Sequence, residues 1–122
     1  MASKKRIESL LPFVYFEDEI CRKEEAHVSL GSNSLQYGTS CFGGIRAYLR
    51  DGTLRFFRLC DHFDRLMNGA KILGFDFSME FEDFRSVLFE LARKNAPKTD
   101  IYIRPFIFSN DEFLPPRLPG LT

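Results

Sequence analysis

The 122-residue sequence contains no tryptophan, only three cysteines and no excess of either charge. Each shortage excludes something. Lys and Arg number 17 and Asp and Glu number 17, so the basic surplus of a dedicated nucleic-acid binder is missing. The same balance gives no attraction to an anionic membrane surface. No apolar run approaches the length that spans a bilayer. Met1-Ala2-Ser3-Lys4-Lys5-Arg6 leads into no secretory signal, so the cytoplasm is the expected compartment. Cys21, Cys41 and Cys60 lie far apart and form no CxxC pair, and only His27 and His62 could join them. Neither a metal site nor a disulfide framework is expected, and the thiols read as free and mostly buried. GxGxxG, P-loop, HExxH and GxSxG patterns are absent.

What is present is an ordinary globular composition, 44% hydrophobic and 28% charged, with 14 Phe to fill a core without polar atoms to satisfy. The length suits one small domain. Residues 13–16 are strand formers, and Glu17-Asp18 can turn the chain back through residues 19–22. Residues 31–40 read as a Ser/Gly/Asn-rich loop. Residues 42–48 read as a strand interrupted by Gly43-Gly44, which signals a bulge or a close approach to the backbone. Asp51-Gly52 turns it into a partner strand over 53–57. Asp61 is placed to cap a helix that carries Phe63, Leu66, Met67, Ala70 and Leu73 on one face and stops at Gly74. A second helix is expected from near Ser78, with Phe84, Val87, Leu88, Leu91 and Ala92 as its apolar stripe and Pro97 beyond it. Residues 101–108 read as a strand in which Pro105 marks an edge or a bulge. Hairpins first and helices as a block make the class α+β, an antiparallel sheet with helices packed on it. From Leu114 the composition is that of a linker, so the chain reads as a first domain that stops at the start of a connection.

Three segments are odd for a simple core. Tyr37-Gly38-Thr39-Ser40-Cys41-Phe42-Gly43-Gly44-Ile45-Arg46 crowds small residues, hydroxyls, aromatics and an arginine together. On composition alone it reads as a turn followed by a bulged strand. His62-Phe63-Asp64-Arg65-Leu66 opens a helix, where an arginine can offer donors to an anion. It can as well be solvated and bonded to Asp61 or Asp64. In Tyr102-Ile103-Arg104-Pro105, strand alternation puts Tyr102 and Arg104 on one face. A phenol beside a guanidinium is a carboxylate receptor, or simply the polar face of an edge strand.

Taken together and in this order, the three segments resemble the fold-type IV pyridoxal-phosphate enzymes, and among them the branched-chain amino-acid aminotransferases. The hairpin at the start and Ala26-His27-Val28-Ser29 also fit, and the resemblance covers residues 13–108. Gly38-Thr39-Ser40 and Tyr102-Ile103-Arg104-Pro105 side with the branched-chain enzymes rather than with D-amino-acid aminotransferases or aminodeoxychorismate lyases. Gly43 departs from the pattern, where a Glu is common. The resemblance implies a small N-terminal domain over residues 1–113, the start of an interdomain linker over 114–122, and a second, cofactor-binding domain absent from this chain. It implies amino-group transfer between Leu, Ile or Val and 2-oxoglutarate with pyridoxal 5'-phosphate, small amino acids and 2-oxo acids as partners, and a homo-oligomer. Arg65 would contact the cofactor phosphate. Tyr37 and Phe42 would line the side-chain pocket, and Gly44 would leave room for the substrate. Tyr102 would bond the α-carboxylate and Arg104 the distal carboxylate of glutamate. Arg46 matches a family position without an assigned task. The Schiff-base lysine is matched by none of Lys4, Lys5, Lys23, Lys71, Lys94 and Lys98, so this chain by itself is expected to be inactive. A short non-enzymatic relative acting as an interaction module is the alternative of another class.

Overall fold

The computed structural model describes residues 9–111. The expected linker over 114–122 and the end of the expected domain therefore lie outside the described residues. Strand β1 (Phe13–Phe16) turns at Glu17-Asp18 into β2 (Glu19–Arg22), with Phe16 facing Glu19. Both turn residues take positive φ, 49° and 71°. That is the two-residue turn whose twist suits a hairpin, made here without Asn or Gly.

The segment read as a loop over 31–40 contains a short helix, α1 (Asn33–Tyr37). The Ser32 hydroxyl accepts from the Leu35 N–H at 3.2 Å, and Gly38 closes the turn in the left-handed conformation at φ 71°. Five residues carry no apolar period, so only the caps could have announced it. Strand β3 (Ser40–Phe42) follows, then β4 (Ile45–Arg50) and β5 (Thr53–Phe56), the last two joined at Asp51-Gly52 as expected.

Helix α2 (Leu59–Ile72) is entered through Arg58 at φ 52°, with no side chain capping it. Asp61 is not the cap: its carboxylate accepts from Arg58 Nε at 2.8 Å. Gly74 follows the helix end in a left-handed conformation, as the sequence suggested. Helix α3 (Phe81–Asn95) begins after Glu80 rather than near Ser78, and Glu82 and Asp83 occupy its first turn, where the helix dipole favours them. The strand read over 101–108 is two pieces, β6 (Ile101–Ile103) and β7 (Phe106–Phe108).

Every described strand pairing is antiparallel: β1 with β2, β3 with β7, and β5-β4-β6. The two larger pieces share one register. Phe42 faces Phe106, Ile45 faces Ile103, and between them Gly43-Gly44 lies across from Arg104-Pro105. Neither strand gains a residue, so the glycines and the proline mark no bulge. The Gly43 N–H still donates to the Pro105 carbonyl at 2.9 Å.

One face of this ladder is the core. Ile45 and Ile107 pack with Phe63, Leu66 and Ala70 of α2 and Phe84 and Leu88 of α3. Helical spacing and strand alternation deliver these residues to one place. Phe63 meets Phe84 at 5.1 Å and Phe81 at 5.4 Å. The thiols depart from expectation, since Cys60 is exposed and Cys21 and Cys41 are only half-buried. They are free, as read. No described helix is long and apolar enough to cross a membrane.

Two polar clips close the molecule. The Asn95 amide at the end of α3 accepts from the Phe13 N–H and donates to the Phe13 carbonyl, both at 2.9 Å. It fastens the first hairpin to the helix. Asn95→Ala leaves both Phe13 groups unpaired and should cost about 1–3 kcal/mol, read from chemical denaturation. Asp100 accepts from the Leu49 N–H at 2.8 Å and from Arg50 Nη1 at 2.9 Å, tying the start of β6 to the end of β4. The Leu49 N–H, with Arg50 adding to it, holds the Asp100 carboxyl below the usual carboxylate range against a smaller desolvation effect. A folded pKa below the unfolded one stabilises above the unfolded value and is lost as pH falls through the folded value. Asp100→Asn should therefore lower the melting temperature at neutral pH, and its difference from the parent chain should close under strongly acidic conditions.

Candidate functional site

The ladder's second face carries neither of the long helices. Along β4 the buried Ile45 and Ala47 alternate with Gly44, Arg46 and Tyr48, which point the other way. Tyr102 stands opposite Arg46, and Phe106 opposite Phe42. Phe42, Tyr102 and Phe106 are 59%, 52% and 52% exposed.

Five of the expected site residues, Phe42, Gly44, Arg46, Tyr102 and Arg104, share this face. The Arg104 guanidinium lies over the Phe42 ring at 4.5 Å and over the Tyr102 ring at 5.6 Å. Its Nη2 donates to the Tyr102 hydroxyl at 3.3 Å. The phenol oxygen thereby accepts from the cation and keeps its own proton to donate outward. A phenolic donor and the remaining guanidinium N–H groups have the donor chemistry that a carboxylate accepts from. Gly44 lies beneath the Tyr102 ring: a Cβ built there would stand 2.5 Å from the Tyr102 oxygen. The room that Gly44 leaves is filled by this ring. Arg46 is the cross-strand neighbour of Tyr102 and is exposed.

Arg65 stands elsewhere, exposed on the first turns of α2. It lines a shallow depression with Phe57, Arg58, Asp61 and His62. Asp61 is held by Arg58, and among the described residues Arg65 makes no ion pair. Phe57 borders both areas, since its ring meets Tyr48 of the open face edge-on at 6.4 Å. Arg58 and His62 had no role in the sequence reading, although their spacing to Arg65 along one helix was available. Two arginines and a histidine at an uncapped helix start suit a phosphate dianion. The fit reaches only that end of the cofactor. Lys94, for example, sits over the Phe13 ring at 5.1 Å, on the first hairpin. Tyr37 ends α1 and is half-exposed, and among the described residues no ring contact joins it to Phe42 or Arg104. Helix α1 is pinned to the residues after β7, where the Asn33 N–H donates to the Asp111 carbonyl at 2.8 Å and the Ser34 hydroxyl accepts from the Ser109 N–H at 2.7 Å. Among the described residues no three metal-ligating side chains gather.

No family model matches the chain. It is 40% identical over 114 residues to a probable branched-chain-amino-acid aminotransferase of Synechocystis, covering 91% of this chain and 37% of that protein. The crystal structure of the Escherichia coli branched-chain amino acid aminotransferase superposes with a TM-score of 0.81 at 34% identity, over 93% of this chain and 37% of the other. The branched-chain amino acid aminotransferase from Thermobaculum terrenum, in its PLP form, gives 0.71 at 28% identity, over 79% and 32%. The chain thus spans about a third of the length of these relatives.

An antiparallel α+β unit with its long helices on one face only is here the fold of the N-terminal part of the fold-type IV branched-chain aminotransferase structures. Within that class, the chain resembles the branched-chain-amino-acid aminotransferases in sequence and in architecture over some nine-tenths of its length. These relatives do not favour the D-amino-acid aminotransferase or the aminodeoxychorismate lyase.

Three large rings on one uncovered face are an adhesive surface in water. The 122-residue chain should self-associate as its concentration rises in sedimentation velocity, and replacing Phe42 and Phe106 by Ser should return it to the monomer. A parent chain that stays monomeric, with a melting temperature independent of concentration, would contradict this.

Proposed function

We propose that this chain is the substrate-facing portion of a branched-chain-amino-acid aminotransferase, which moves an amino group between Leu, Ile or Val and 2-oxoglutarate. The supporting observation is the Phe42–Arg104–Tyr102 cluster on an open sheet face, in a chain whose relatives carry that name. Residues 1–113 form the small domain, residues 114–122 begin the linker, and the second domain lies outside these residues. Pyridoxal phosphate supplies the electron sink that lets the amino group pass between carbon skeletons. Arg65 and His62 hold its phosphate at the start of α2. The Tyr102 hydroxyl donates to the α-carboxylate, and Arg104 receives the distal carboxylate of glutamate or 2-oxoglutarate. Phe42 and Tyr37 border the aliphatic side chain. Arg46 adds positive charge beside Tyr102. The covalent lysine comes from the second domain, and the working unit is a cytoplasmic homodimer.

The test compares two polypeptides. The complete protein should transaminate leucine, isoleucine and valine with 2-oxoglutarate, and should leave D-alanine and aminodeoxychorismate untouched. The 122-residue chain should act on none of these compounds. Borohydride fixing of pyridoxal phosphate on one specific lysine of the short chain, with leucine turnover, would overturn the reading. In the complete protein Arg104→Ala should raise KM for 2-oxoglutarate about ten- to a hundredfold, as loss of a charge-assisted bond does.

A further inference from the structure

We propose that Gly44 is a positioning residue: the space of its missing side chain seats the Tyr102 ring, and the seated ring orients the Arg104 guanidinium. This deepens the reading above and rests on it for the ligand's identity, but not for the geometry.

The two adjacent glycines differ in what surrounds them. A Cβ on Gly43 would meet only Pro105 Cγ, at 3.9 Å, which is ordinary contact. A Cβ on Gly44 would lie 2.5 Å from Tyr102 Oη, 2.9 Å from Cε2 and 3.0 Å from Cζ. Neither glycine has a left-handed backbone, so an alanine meets no conformational penalty at either site. The three atoms nearest to a side chain at Gly44 all belong to this ring. The ring is the movable partner, because Tyr102 is half-exposed and its far end makes the closest approach. A methyl group at 44 therefore lifts the phenol instead of breaking the sheet.

Lifting the phenol has one direct consequence. The bond from Arg104 Nη2 to Tyr102 Oη, at 3.3 Å, is lost. Arg104 then retains its stacking on Phe42, at 4.5 Å, which fixes its plane more than its direction. The guanidinium keeps its charge and loses its aim. Carboxylate binding, which depends on donor geometry, weakens.

The test uses the complete protein and four variants: Gly44→Ala, Gly43→Ala, Tyr102→Phe and the double variant Gly44→Ala with Tyr102→Phe. Carbon-13 labelling of tyrosine rings reports on Tyr102 without any ligand. Gly44→Ala should shift the Tyr102 ring signals, while Gly43→Ala leaves them in place. Gly44→Ala should raise KM for 2-oxoglutarate about tenfold with a smaller change in kcat. Gly43→Ala should match the parent. Adding Gly44→Ala to Tyr102→Phe should raise KM little further, because the hydrogen bond to Arg104 that the methyl group would break is already absent. Unmoved Tyr102 signals in Gly44→Ala, or effects that multiply independently in the double variant, would overturn the proposal. A parent protein that fails to transaminate leucine would sink the functional reading instead, and the ring signals would still decide the role of Gly44.

Discussion

The antiparallel pairing of residues 40–42 with 106–108 and of residues 45–47 with 101–103, in one shared register, separates the two halves of this molecule's chemistry. Its register runs unbroken past Gly43-Gly44 and Arg104-Pro105. Because no residue is inserted, alternation is preserved on both sides. Ile45, Ala47 and Ile107 go to the helices, and Phe42, Gly44, Arg46, Tyr102 and Arg104 go to the opposite face. A slip of one residue would exchange the two sets and bury an arginine in the core. The Phe63 cluster, which would then have to accept a guanidinium, is what makes the register strict.

The open face combines two kinds of residue for one purpose. Its rings would be costly in water if left bare, and its cations would be costly in a core. Stacking Arg104 on Phe42 covers apolar area with a group that remains hydrated at its edge. The arrangement leaves a surface that is neither core nor ordinary exterior. Arg65 sits apart from it, on a helix that contributes its other side to the core, so the position of its guanidinium is set by the packing of Phe63 and Leu66.

Much of this was legible in the residues. Strand alternation put Tyr102 and Arg104 on one face, and helical spacing marked Phe63, Leu66, Ala70, Phe84 and Leu88. What escaped reading was decided by partners distant in sequence. Nothing in Gly43-Gly44 says which glycine is obligatory, because the answer is the ring of Tyr102. Asp61 looked like a cap, yet a left-handed Arg58 starts the helix and binds its carboxylate. Helix α1 is too short to show a period, and its hydrogen bonds to Ser109 and Asp111 come from the far end of the described chain.

The order in which the chain is made bears on when this face exists. Hairpins and helices close over short distances, whereas β3 and β4 must wait for β6 and β7, with both long helices in between. Pairings that span so much sequence form late, because the entropy of closing the loop is lost before the contacts are gained. Phe42 and Gly44 arrive from one side of that closure, Tyr102 and Arg104 from the other. The Phe42–Arg104–Tyr102 cluster is therefore assembled in the last stage of folding, and until then its aromatic half is a bare strand edge in the nascent chain.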